Sequence, residues 1–526
     1  MKRPLLVATG LATLLAGSAV AVQSTAVQAA TGFHVIGVPA ANPRSGVQDN
    51  RLTPSASETS VAWGNLPLVN PDTANGVTHY GYNTLDGAPL TQTSNEAHKT
   101  EPDKNVYLVM NGRHYLYQGH EIGPRGYVTR IDLDQNDPAK RVTLIADTDP
   151  HGDAFPTIDG ITWDPFTRQL LITAESASPV GGVFAVGLDQ NGDATDGRAQ
   201  RLTALGSGGF EGIQNDRFGD VWMVEDVGGT ANSNGKVPNS FVYRFVPTDR
   251  TDLSQGGKLQ ALQIRREDGT PATTSQLQAD PTDPFIGRLH TYGTSFGTRW
   301  VTVHSTDGTP GSEAAFDATA AAKAAGATPM KRPENGVFRP GTNFKEFYFT
   351  ETGDTSNAST LPGAYGGVFR ISQASARSAT GRISIAAVGD EQHTGFDNIS
   401  FATDKALLVV EDAGDKLHEQ RNALDSGYLF DLGARGTTPH SAPTPTRWLA
   451  EGRDASATFD ATGGPSYNDG DNEITGIHVS DGDATTAGVL GAKVPEPLTP
   501  AWRTFWTQQH GDNVTWEISW TGPSSQ

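Results

Sequence analysis

Acidic residues that open and close short apolar strands are the groups in this sequence best placed to do chemistry. Glu211-Gly-Ile is followed by Asp220-Val-Trp-Met-Val-Glu225-Asp226, and Asp397-Asn-Ile by Lys405-Ala-Leu-Leu-Val-Val-Glu411-Asp412. In both, the first acid precedes the closing Glu by 14 positions. Looser copies run from Asp159-Gly-Ile to Glu175 and from Glu334-Asn-Gly-Val to Glu351. Carboxylates gathered in one place repel each other, and each resists desolvation unless a counter-charge is supplied. A bound cation supplies it, and an oxygen-only ligand set suits calcium, manganese or ferric iron. The plain alternative is that acids beside Gly or Asn only shape turns. Turns favour Asp and Asn, whereas positions 211, 334 and 473 carry Glu, and the phrase recurs. A metal site is therefore expected.

The elements that must position these acids are short strands. Runs of β-branched and aromatic residues bounded by Gly, Asp or Asn recur from Val106–Met110 and His114–Gln118 through Val221–Val224 and Phe347–Thr350 to Leu407–Val410 and Tyr428–Leu432. Regular helices do not alternate with them, which argues against parallel βαβ folds. The Ala-rich stretch Ser312–Ala325 is the one good helical run and reads as an insertion. Phrase starts at 159, 211, 334 and 397 suit one strand group per blade, with a decayed blade between 211 and 334. With the His120-Glu121 and Glu473-Ile-Thr-Gly-Ile segments added, the expected fold is an all-β β-propeller of about six blades with loop-rich insertions, spanning 105–526. Residues 31–104 read as a loop-rich N-terminal segment. In a propeller the innermost strands all begin at one mouth of the central channel, so acids placed there converge.

Composition narrows the class. The chain has 526 residues, with 60 Gly and 32 Pro spread along it, which excludes a coiled coil or helical bundle. Its 21 Phe, 9 Trp and 12 Tyr can furnish a large core. Lys2 and Arg3 precede the apolar run Leu5–Val22 and the small residues Ala29 and Ala30, so residues 1–30 read as an export signal and the mature chain as secreted and extracellular. Gly10, Thr13, Gly17 and Ser18 dilute that run, and no membrane span is expected. Loss of Lys2 and Arg3 would take the net charge from −20 to −22, a surface that repels nucleic acid and attracts divalent cations. The chain has no Cys, hence no disulfide, no thiolate nucleophile and no sulfur-held zinc or iron. It contains no G-x-S-x-G, phosphate-loop or H-E-x-x-H motif. Asp189-Gln-Asn191-Gly-Asp193 starts like an EF-hand loop, but Ala194 and Gln200 break the pattern, so a hairpin turn is expected.

In serial order, the residues resemble the PhoX-type alkaline phosphatases, secreted β-propeller phosphomonoesterases that use an iron and calcium cluster. Gln118-Gly-His-Glu121 is similar to the family's N-H-E segment, and Gly160-Ile-Thr-Trp through Glu175 to its G-x-T-P-W-G-T and L-T-C-E-E phrases. Phe210-Glu211, Trp222–Asp226 and Ser240–Val246 resemble H-E, Y-x-G-D-D and Y-x-Y-K-F-V. Met330-Lys-Arg-Pro-Glu334 closely matches M-D-R-P-E. Phe396-Asp-Asn398, Glu473-Ile-Thr-Gly and Gln509-His510-Gly511 are similar to the remaining phrases.

The resemblance implies metal-ligand roles for Glu121, Asp159, Glu175, Glu211, Glu334, Asp397 and Glu473, with Arg332 as the cation that orients phosphate. It implies calcium, and in-line attack of a metal-bound oxygen on a small phosphorylated substrate. Three departures bear on iron. The family's cysteine ligand falls at about Thr157, the cysteine of T-C-E-E is Ala174, and Phe210 replaces a His. The leader also lacks a twin-Arg pair. A relative that holds calcium only, or whose metal is structural, is thus expected, with the iron site in doubt, and a monomer. The alternatives are a non-catalytic, calcium-stabilised propeller that serves as a binding module, and a lactonase-like calcium hydrolase.

Overall fold

Hydrogen-bonded strands recur along the chain to Trp520, and in the computed structural model they form six blades around one axis. The structure describes residues 27–28, 33–44, 48–82, 100–122, 125–232, 234–306, 314–356, 358–434, 442–452, 473–509 and 513–521. Most of the expected leader and the His510-Gly511 pair lie outside these. The innermost strands of the six blades, in chain order, are Pro102–Met110, Ile158–Asp164, Phe210–Asn215, Pro333–Phe338, Phe396–Phe401 and Glu473–Ser480. Each packs against the next, and the sixth packs against the first, which closes the ring.

Within a blade the strands that follow one another in the chain pair antiparallel, through turns that the sequence specifies; Pro67–Asp72 alone joins its blade, the first, by a parallel pairing among the described strands. Asp216 Oδ1 accepts from the Phe218 and Asp220 amides (2.7 and 3.2 Å), and Asp164 Oδ1 from Phe166 (2.9 Å), so one carboxylate satisfies the donors of each tight connection. Because each blade presents two faces, apolar residues collect between blades. Among the described residues six hydrophobic clusters fill the six interfaces, such as Trp222, Phe338, Phe347 and Trp300 between the third and fourth blades.

One feature departs from the sequence reading. No further blade separates Phe210–Asn215 from Pro333–Phe338. The fourth strand of the third blade, Gly257–Arg265, instead pairs with Phe296–Ser305, which pairs in turn with Thr380–Val388 at the outer edge of the fourth blade. The two blades thus share a nine-stranded sheet, and the intervening chain adds short helices at Thr274–Ala279, Pro284–Leu289 and Ala318–Ala324. The last lies within the expected helical run, starts at the Asp317 cap and buries Ala318 and Ala322 against the interface of the second and third blades. Short strands of the N-terminal segment add to the blades. Arg51–Leu52 adds to the outer edge of the fifth blade, Ala56–Ala62 to the sixth and Pro67–Asp72 to the first. Among the described residues no helix is long and apolar enough to cross a membrane.

Candidate metal centre

Every inner strand breaks register at the same place. Two residues of the inner strand face one residue of its neighbour at Asp103-Lys104, Asp159-Gly160, Glu211-Gly212, Glu334-Asn335, Asp397-Asn398 and Gly476-Ile477. Such a bulge takes a residue out of the ladder and re-aims its side chain. Five of the six blades put a carboxylate first in the bulge, and the sixth puts Gly476 there. Small second residues suit the crowded axis. A Cβ on Gly160 would lie 2.3 Å from the Glu211 carbonyl oxygen, and one on Gly212 would lie 2.7 Å from Asn335 Cα.

A second set of acids stands one residue past the bulge-flanking pair on the second strand. Pro102 faces His120, Ile158 faces Ala174 and Phe210 faces Glu225, so the next residues are Glu121, Glu175 and Asp226. The two sets interleave. Carboxylate oxygens lie within 4.8 Å of one another in three overlapping triplets: Asp103, Glu121 and Asp159; Asp159, Glu175 and Glu211; and Glu211, Asp226 and Glu334. Asp159 and Glu211 are each shared by two triplets.

Burial pushes the carboxyls of Asp103, Glu121, Asp159, Glu175, Glu211, Glu334 and Asp397 up, and neighbouring acids push most of them further. Asp103, Glu121, Glu211 and Glu334 are held well above the carboxylate range, Glu175 at about 8 and Asp397 at about 7. The set demands positive charge. Asp159 Oδ1 and Asp226 Oδ1 are buried without a hydrogen-bond partner, as an oxygen aimed at an absent cation would be. Oxygen-only triplets free of His and Cys suit hard cations. The Thr157 carbonyl accepts from the Glu175 amide (3.1 Å), and no sulfur is available there.

Arg332 stands at the Glu334 end of this arc. Its backbone is left-handed (φ 59°) and braced on both sides: the Lys331 amide donates to Glu351 (2.7 Å), the Lys331 ammonium pairs with Asp354 (2.9 Å), and the Thr352 amide donates to the Arg332 carbonyl (2.9 Å). Its Nε donates to Asp226 Oδ2 (2.7 Å) and Nη2 lies 3.6 Å from Glu334 Oε1. Burial alone would lower its pKa, but the Asp226 and Glu334 carboxylates outweigh that and raise it, so the guanidinium stays charged.

Of the residues expected from sequence, the structure gathers Glu121, Asp159, Glu175, Glu211 and Glu334 into the triplets and sets Arg332 beside them. Asp397 occupies the equivalent bulge in the fifth blade, but both its oxygens accept amide hydrogens, from Asn335 (3.2 Å) and Asn398 (2.7 Å), and it joins no triplet among the described residues. Glu473 begins the sixth inner strand opposite Gln509, three residues before the bulge, and likewise joins none. Sequence reasoning missed Asp103, because Lys104 stands where Gly or Asn follows the other four bulge acids. It also took Glu225 rather than Asp226 as the phrase's end. The closing Glu residues do a different job: Glu225 accepts from the Phe241 amide (3.1 Å) and the Tyr243 hydroxyl (3.1 Å), and Glu411 from the Thr394 and Ser426 amides (both 3.0 Å). They tie strand ends together.

The family model for alkaline phosphatase PhoX matches residues 191–490. No curated protein matches the sequence at a significant level. Among solved structures the chain is similar to a Pseudomonas fluorescens PhoX in complex with vanadate, a transition state analogue, with 12% identity, TM-score 0.54, and 91% of this chain and 97% of that one covered. A gluconolactonase from Xanthomonas campestris aligns at 10% identity and TM-score 0.38, over 94% of this chain and all (100%) of that one.

Proposed function

The chain belongs to the PhoX alkaline phosphatase family, and on that premise we propose a metal-dependent hydrolase of small phosphomonoesters, working at the propeller mouth with calcium. The observation that carries this reading is the run of three overlapping carboxylate triplets ending at a guanidinium. Calcium would be held by Asp103, Glu121, Asp159, Glu175, Glu211, Asp226 and Glu334. Cations there would supply Lewis acidity toward phosphoryl oxygens and make water a better nucleophile at neutral pH.

The chain's own residues do the rest. Asp226 fixes Arg332 through Nε, which leaves Nη donors for two phosphoryl oxygens, and the fixed guanidinium meets the growing charge without reorganising. The braced left-handed backbone at 332 keeps that donor from swinging away. A lactonase-like hydrolase working with a single calcium would leave most of the carboxylates without a counter-charge.

Elemental analysis of the purified mature chain, paired with hydrolysis of a chromogenic phosphomonoester at alkaline pH, tests the proposal. Activity should vanish with chelator and return with calcium, and Arg332→Ala should lower kcat/KM roughly 100- to 1000-fold at unchanged metal content. Full activity in metal-free protein would sink it, as would preferential hydrolysis of a sugar lactone. The proposal also takes the chain out of the cytoplasm on its N-terminal leader. N-terminal sequencing of exported protein should then begin near residue 31.

A further inference from the structure

We infer that Lys104 is a tethered cation standing in for a metal ion on the side of the axis formed by the fourth and fifth blades, so that Asp397 anchors a lysine and the metal cluster stops at Glu334. The inference rests on the proposed cluster and says where it ends.

Lys104 takes the second bulge position of the first blade, where the second and third blades have Gly and the fourth and fifth have Asn335 and Asn398. It is buried, 3% exposed, and its side chain crosses the axis to blades on the far side. Nζ donates to Asn335 Oδ1 at 2.6 Å and to Asn398 Oδ1 at 3.3 Å. The same two side chains turn their amide hydrogens onto Asp397, at 3.2 and 2.7 Å. Each asparagine accepts from the ammonium and donates to the Asp397 carboxylate, and Asn398 Nδ2 also lies 3.5 Å from Asp103 Oδ1. A calcium ion on this side would need the same oxygens, the two Oδ1 atoms and Asp397, because calcium takes carbonyl and carboxylate oxygen alike. Ammonium and metal therefore compete for one ligand set, and the ammonium is covalently present at every moment. On the opposite side the Lys104 charge is felt by Asp159 and Glu211, but among the described residues no lysine donates a hydrogen bond to the triplet carboxylates; there the bulges carry Gly, and Asp159 keeps an unpartnered oxygen. One ring of acids is thus neutralised in two ways, by a side chain on one side and by ions on the other.

The test is calcium per chain after loading and desalting, with the calcium-dependent shift in melting temperature, for wild type, Lys104→Asn and Asp397→Asn. Lys104→Asn gives the first blade the residue that the fourth and fifth carry, opens space and adds an oxygen donor. It should bind one calcium more than wild type and show a larger calcium-dependent shift. Asp397→Asn should keep the wild-type count. A calcium lost in Asp397→Asn would overturn the inference, as would a Lys104→Asn variant with the wild-type count. If Lys104→Asn does not fold, Asp397→Asn decides alone. A wild type without metal whose Lys104→Asn variant takes up one calcium would uphold the role of Lys104 and refute the cluster. A loaded wild type with an unchanged variant would do the reverse.

Discussion

Two carboxylates matter more than the others because of where they stand. Asp159 and Glu211 each belong to two triplets, whereas Glu121 and Glu334 each belong to one. Removing a shared ligand weakens two cation positions at once. Asp159→Asn and Glu211→Gln should therefore each lose about two calcium ions per chain, and Glu121→Gln and Glu334→Gln about one, as read by elemental analysis of loaded protein. Equal losses across the four variants would contradict the overlapping arrangement. The identity of Glu211 and Glu334 is visible in the sequence, since Glu serves turns poorly, and that of Asp159 in the repeat of the phrase. The sharing is not, because it depends on neighbouring blades placing their bulges at one height.

At the scale of the blade, adjacent acids on one strand end do unlike jobs. Glu225 is fully buried and holds the Phe241 amide and the hydroxyls of Tyr243 and Thr319, whereas Asp226 turns to Arg332. Burial pushes Glu225 up to about 8 despite those donors. Glu225→Ala would strand two buried donors, the Phe241 amide and the Tyr243 hydroxyl, and the half-buried Thr319 hydroxyl, and should cost about 2–4 kcal/mol in denaturant unfolding, with metal content unchanged. The fourth blade carries a variant of the clamp. His290, at the end of the Pro284–Leu289 helix, donates from Nε2 to Glu351 (2.6 Å) and from Nδ1 to the Ile286 carbonyl (2.8 Å). Burial would lower its pKa, but the Glu351 charge and these hydrogen bonds prevail and raise it. A raised folded-state pKa means that this contribution is complete below the unfolded value of about 6.5 and fades as pH climbs through the folded value. The stability advantage of wild type over His290→Gln should thus be larger at pH 6 than at pH 9, by urea midpoint. An advantage independent of pH would show that the imidazole acts only by packing.

The whole molecule closes through its N-terminal portion. Ala56–Ala62 covers Val514–Trp520 and Arg51–Leu52 covers Thr446–Ala450, so two outer edges depend on residues that precede the first inner strand. A chain starting at residue 65 would expose both edges and part of the cluster that contains Trp448, Trp506 and Trp520. It should be insoluble or melt about 10 °C lower than a chain starting at residue 31. An unaffected melting temperature would mean that the ring holds without these strands.

Strand character, the recurring acid phrase, and the want of cysteine and of helical periodicity are local properties, and the sequence alone determined them, and with them an all-β propeller lined by carboxylates. Tertiary structure alone decided which acid of each phrase faces the axis. Register at a bulge is fixed by pairing between strands and is invisible along one strand, which is why Glu225 and Asp226 could not be told apart and why Asp103 went unnoticed beside Lys104. Structure likewise decided that the long stretch between the third and fourth inner strands widens one shared sheet instead of adding a blade. It also decided that a lysine from the first blade meets asparagines from the fourth and fifth. Contacts between residues hundreds of positions apart are set by the closing of the ring, and no spacing along the chain encodes them.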